Sequence, residues 1–166
     1  MSSRTRKLTI LGVSTAAAMV LSYLESFIPL SIAVPGVKLG LANLVTVFLL
    51  IKLDFKSAAA VGILRVSLTA LLFGSFASFA YSAAGAVLSI VTMSLLKKTE
   101  RFSAVGISVA GGVAHNMGQI LMAIVIMSTG EIAYWLPPLI ISGVVTGLAV
   151  GSAGAVLVSK IKLDTH

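Results

Sequence analysis

Apolar residues run almost unbroken along the chain, over 8–28, 39–51, 57–73, 78–96, 103–128 and 134–159. The breaks between runs are short and hold the turn and charge signals. They are Pro29 to Lys38, Lys52 to Lys56, Gly74-Ser75, Lys97 to Arg101, and Gly130-Glu131. A helix that crosses a bilayer needs about 20 such residues, and Gly or Pro within it is tolerated at membrane depth. The pattern predicts an all-α integral membrane protein, a single domain over 1–166 with six transmembrane helices. The second run is the short one, and a re-entrant or interfacial segment is its competing reading.

Loop charge arbitrates between the two. Six crossings put Arg4, Arg6, Lys7, Lys52, Lys56, Lys97, Lys98, Arg101, Lys160 and Lys162 on one side. Lys38 alone falls in an opposite loop, and Arg65 lies inside a span. Without the second crossing the loops divide eight to three at best. The excess of bases on cytoplasmic loops therefore predicts six helices with both termini cytoplasmic, in the cell membrane. Arg4, Arg6 and Lys7, an apolar stretch and then Ser31-Ile32-Ala33 imitate a secretory signal. The stretch exceeds the roughly 7–15 residues of such a signal's core, so the first helix is expected to be retained.

Composition agrees. The chain is 58% hydrophobic and 10% charged, with a mean hydropathy of +1.09, against about a quarter charged in a soluble domain. A water-soluble globule is excluded. The net charge of +7 resides wholly in the cytoplasmic segments, since Lys38 and Arg65 cancel Glu25 and Glu131 elsewhere. It is a topology signal, and no nucleic acid is needed to explain it. The absence of cysteine excludes disulfides and thiolate metal sites.

Candidate chemistry lies in the few polar groups at membrane depth, where ionisable residues are costly and face a bundle interior or a cavity. They are Glu25, Lys38, Arg65 and His115, with Asn43, Asn116 and Gln119 as neutral partners. Counting about 1.5 Å per residue from the cytoplasmic ends puts Arg65 near mid-membrane. The others collect in the outer half, as an outward-opening binding pocket would require. Plainer roles compete: Asn, Gln and His bond between helices, and Lys38 can snorkel to the headgroups. A Glu25–Arg65 ion pair would leave the pocket nearly neutral. His115 and Gln119, four apart, share a helix face, but one His without carboxylate or thiolate company makes no metal site.

Aromatic and small residues add two further patterns. Tyr23, Phe27, Phe73, Phe76, Phe79, Tyr81, Tyr134 and Trp135 gather near the outer boundary. An interfacial belt accounts for most of them; a pocket for a planar or isoprenoid ligand would draw on some. Gly12 with Ala16 and Ser14 with Ala18 form small-x-x-x-small pairs on helix one, and Gly143, Gly147 and Gly151 repeat on helix six. Such faces permit close helix contact, internal on helix six and either internal or partner-facing on helix one.

Enzymatic chemistry finds little footing. There is no GxxxxGK[ST] loop to cradle nucleotide phosphates. The two aspartates, Asp54 and Asp164, are far apart and cytoplasmic, whereas holding magnesium against a diphosphate needs clustered carboxylates. No enzyme activity and no cofactor are expected of the chain alone.

Pro35-Gly36-Val37-Lys38-Leu39-Gly40-Leu41-Ala42-Asn43 resembles the signature of the Gx transporter, or heptaprenyl diphosphate synthase component I, membrane family. The resemblance extends through Arg65, Phe73-Gly74-Ser75, Tyr81 to Gly85, Ser89 and Met93. It continues over Ala114-His115-Asn116, Gln119, Leu136-Pro137, Ser142-Gly143 and Thr146-Gly147. That family is similar to the S components of energy-coupling-factor vitamin transporters, six-helix proteins that bind substrate from outside. The resemblance implies docking onto a transmembrane T component with two ATPases, through the small face of helix one around Gly12, Ser14, Ala16 and Ala18.

The leading expectation is a substrate-binding transport subunit of S-component type, taking up a small, amphipathic, anionic compound. Lys38 and Arg65 would supply charge, Asn43, His115, Asn116 and Gln119 hydrogen bonds, and Tyr81 or Trp135 stacking, with Glu25 nearby. Its alternative is a membrane accessory subunit of a heptaprenyl diphosphate synthase or of a quinone or flavin redox complex. A third is a solitary ion-coupled carrier with Glu25 as proton site.

Overall fold

The computed structural model describes residues 2–27 and 40–161. Among them the chain is helical throughout. The helices are α1 (Ser3–Ser26), α2 (Asn43–Lys52), α3 (Phe55–Phe73), α4 (Phe76–Lys98), α5 (Ala104–Met127) and α6 (Leu136–Lys160), with a 3-10 segment over Gly130–Trp135. Polar residues in the breaks set the helix starts. Ser2, Asp54, Ser75 and Ser103 each accept a backbone N–H from the first turn of α1, α3, α4 and α5, which satisfies a donor that a helix start leaves open. Proline in the first turn of α6 loses no helical hydrogen bond there.

Among the described residues five helices are long and apolar enough to cross a membrane: α1, α3, α4, α5 and α6, the last taken with its 3-10 segment. The protein is an all-helical bundle of the multi-pass membrane kind. α2 differs. With 10 residues it rises only about 15 Å, half the roughly 30 Å hydrocarbon core. Val45 to Leu50 are all buried, as befits a helix apolar on every side, and α2 touches each of the other five. The short run is the centre of the bundle, a position that its length in the sequence does not reveal.

The contacts fix helix directions. Lys7 at the start of α1 pairs with Asp54 at the start of α3 at 2.9 Å, so these two helices run in parallel. Lys97 at the end of α4 donates to the Leu50 carbonyl near the end of α2. α5 lies antiparallel to α4 and α6, and glycines let the backbones close up. A Cβ on Gly118 would stand 2.7 Å from the Ala84 carbonyl oxygen, and one on Gly112 2.6 Å from that of Gly143. Gly143, Gly147 and Gly151 all press against α5, so the helix-six repeat is an internal seam. The starts of α1, α3 and α5 therefore share one end of the bundle with the ends of α2, α4 and α6.

That shared end carries Arg4, Arg6, Lys7, Lys52, Lys56, Lys97, Lys98, Arg101 and Lys160; Lys162 lies outside the described residues. The opposite end carries exposed Tyr23, Phe27, Phe76, Tyr134 and Trp135, the aromatic end. One core cluster, including Val47, Leu49, Leu50, Val61 and Met93, fills the basic half around α2. A smaller one of Tyr81, Ile120, Ala123, Ile132 and Leu139 fills the aromatic half.

A buried polar chain and a lateral cavity

Arg65 sits in the middle of α3 and is 4% exposed. Its Nη1 donates to Ser22 Oγ on α1 at 3.0 Å. Glu25, one turn further along α1, attracts the guanidinium electrostatically, but Glu25 Oε1 accepts its hydrogen bond from the Gly40 N–H. The Glu25–Arg65 pairing weighed above is thus an attraction across the α1–α3 seam, with Ser22 taking the guanidinium's hydrogen bond.

Gly40 is the hinge of the arrangement. Its φ of +90° is open to glycine, and a Cβ there would stand 3.0 Å from Asn43 Nδ2 and 3.4 Å from the His115 ring. His115 in turn hydrogen-bonds Gln119 at 2.7 Å. Gly85 of α4 packs directly on that pair, its Cβ position lying 2.8 Å from the His115 carbonyl oxygen. Glu25, Gly40, Asn43, His115 and Gln119 therefore form a buried polar chain from α1 through the start of α2 to α5, with Gly85 of α4 against its end.

Among the described residues a cavity of about 410 Å³ lies between α3 and α4, floored by α2. Its walls are apolar: Phe55, Ala59, Gly62 and Ile63 on one side, Ala83, Ala86, Val87 and Ile90 on the other. Arg65 and Asn43 join this lining. Asn43 Nδ2 and Arg65 Nε have no hydrogen-bond partner among the described residues. The volume falls within the roughly 300–1,000 Å³ of small-molecule sites. On its aromatic-end side Arg65 also borders a small niche with Thr69, Ser78 and Ser82.

The sequence-derived candidates thus separate. Arg65 and Asn43 meet at the cavity, and Glu25, His115 and Gln119 form the chain behind them. Asn116 is fully buried and donates to the Leu139 carbonyl at 2.7 Å, tying α5 to α6. Tyr81 belongs to the apolar cluster of the aromatic half, and Trp135 is half-exposed beside α6. Neither lines the cavity. Lys38 lies outside the described residues. On α1, Ser14 and Ala18 face inward while Gly12 and Ala16 face outward.

Sequence reading missed the small residues Ala59, Gly62, Ala83 and Ala86 and the hydroxyls of Thr69 and Ser82. The signal was faint, because alanine and glycine are common throughout the chain. Among the described residues no three His, Asp or Glu side chains converge on a possible metal site.

Fold and site together define an all-helical protein of the multi-pass membrane kind with an arginine buried beside a cavity between α3 and α4. The profile of the heptaprenyl diphosphate synthase component I family matches residues 14–157. The chain belongs to that family. Neither a curated protein nor a solved structure matches it.

Proposed function

We propose that this protein is the membrane-embedded, non-catalytic subunit of a prenyl diphosphate synthase assembly, holding an anionic amphiphile in the bilayer for a catalytic partner. One observation carries the reading: a buried guanidinium, with the Asn43 amide, on a cavity whose walls are mostly apolar. A mid-membrane arginine needs an anionic or carbonyl partner, and the apolar walls ask for an apolar body. Family membership supplies the assembly. The reading places catalysis on the partner, in keeping with a chain that has two aspartates, Asp54 and Asp164, the first of them engaged by Lys7 and by the Ser57 N–H.

In this reading the chain crosses six times, α2 counting as the second crossing, with both termini cytoplasmic. The Lys7–Asp54 contact supports the count, since it returns the chain to its starting face between the end of α1 and the start of α3. The gathering of bases at that end supports the orientation. Arg65 and Asn43 touch the ligand, and Glu25, His115 and Gln119 position them.

A second reading, an S-component-type transport subunit, draws on one observation. Gly12 and Ala16 face outward on α1, and nothing lies within 4 Å of a Cβ on Gly12, which leaves room for a transmembrane partner. Mild-detergent purification of the tagged protein from its native membrane separates the two. A co-purifying soluble synthase bearing aspartate-rich motifs supports the accessory role. Recovery of two ATPases with a polytopic T component would replace it with the transporter.

A further inference from the structure

We propose that the α3–α4 cavity takes a single-tailed anionic amphiphile sideways from the bilayer, head group at Arg65 and Asn43, tail along Ala59, Gly62 and Ala86. This rests on the binding-subunit reading and adds the route, the orientation and the positions that limit tail size.

The route follows from exposure. Ile63 and Val87 flank the cavity and are 67% and 60% exposed. In a bilayer both face acyl chains, so the mouth opens into lipid. The head position follows from buried polar atoms. Arg65 Nε and Asn43 Nδ2 belong to residues that both line the cavity, both residues are more than nine-tenths buried, and neither atom has a partner among the described residues. Unpaired polar and charged groups at this depth are costly, and a phosphate offers a guanidinium several acceptors at once.

The tail position follows from the small side chains. Ala59 and Gly62 on α3 and Ala83 and Ala86 on α4 hold the helices' side chains apart. From Phe55 to Arg65 α3 rises about 15 Å, half the roughly 30 Å core, which suits one chain of leaflet length. Arg65 lies eight residues inside the Phe73 end of α3, a depth at which an anionic head needs a buried cation as partner. Two-tailed phospholipids are disfavoured because the small residues form a single run between the helices. Phe55 stands at the basic end of the α3 lining and Arg65 at mid-depth, so the tail points toward the basic end.

Native mass spectrometry of the full chain from phosphatidylcholine nanodiscs tests this with farnesyl phosphate, farnesol, inorganic phosphate and phosphatidylglycerol. The expected result is one bound farnesyl phosphate, at least tenfold weaker farnesol, and no retained inorganic phosphate. Gly62→Leu should lower farnesyl phosphate occupancy at least tenfold without loss of thermal stability, because nothing lies within 4 Å of a Cβ at Gly62. Arg65→Lys should retain part of the binding that Arg65→Gln loses. Undiminished binding to Gly62→Leu would overturn the lateral seat while leaving the binding subunit standing. No binding to the unaltered protein would remove both. Equal occupancy by phosphatidylglycerol would overturn the single-tail assignment.

Discussion

Asp54 shows how much one loop carboxylate can do. The Lys7 ammonium first, and the Ser57 N–H second, pull its pKa from 3.8 down to about 2. The folded value lies below the unfolded one, so the contribution is complete above about pH 4 and is lost as pH falls through about 2. Asp54→Ala should cost roughly 1–2 kcal/mol, a helix cap being worth about 1 and an exposed pair up to about 1. Asp54→Asn keeps the cap and should cost about 0.5 kcal/mol. Thermal unfolding in detergent should show the Asn variant's deficit at pH 7 and its disappearance near pH 2. Asn116 makes a contrasting case. Asn116→Ala removes its bond to the Leu139 carbonyl and should cost about 0.6–2 kcal/mol while leaving ligand occupancy unchanged. Asn43→Ala should weaken binding instead, as its amide borders the cavity. Parallel melting and native-mass measurements on both variants check the split.

At the scale of elements, helix seams decide what each small residue does. Gly118 brings α5 against the α4 backbone, where a methyl would meet the Ala84 carbonyl. Gly118→Ala should therefore cost about 1–3 kcal/mol by overpacking. Gly12→Ala, with open space around it, should leave the melting point within error or raise it slightly, since alanine is the better helix former. A Gly12→Ala loss as large as that of Gly118→Ala would show that the outward α1 face is packed within the protein. Both look alike in the sequence, as single glycines inside long apolar runs. Only the neighbouring helix distinguishes them. The run at 39–51 carries the same lesson: the sequence marks it as short and apolar, but its place at the hub comes from contacts with five other helices.

For the whole molecule, the segregation of bases to one end and exposed aromatics to the other gives a direct topological test. The chain has no cysteine, so single-cysteine variants carry no background. Thr99→Cys at the basic end should resist a membrane-impermeant maleimide applied from outside, and Thr129→Cys at the aromatic end should react. Labelling of both from outside would break the six-crossing, cytoplasmic-termini reading.

Periodicity and charge needed no neighbours to be read. Long apolar runs and bases gathered in a few of the breaks are one-dimensional features, and they determined an all-helical membrane chain and, to within a few residues, where its long helices begin. They also marked Glu25, Asn43, Arg65, His115 and Gln119, because ionisable and amide groups at membrane depth stand out against an apolar background. The tertiary structure alone decided how these combine. It joined Arg65 to Ser22 rather than directly to Glu25, sent Asn116 to an α6 carbonyl, buried Tyr81, and opened a cavity between α3 and α4. Those outcomes depend on which helix faces meet and how closely. A difference of one methyl at a seam sets that closeness, and no single residue in the sequence reports it.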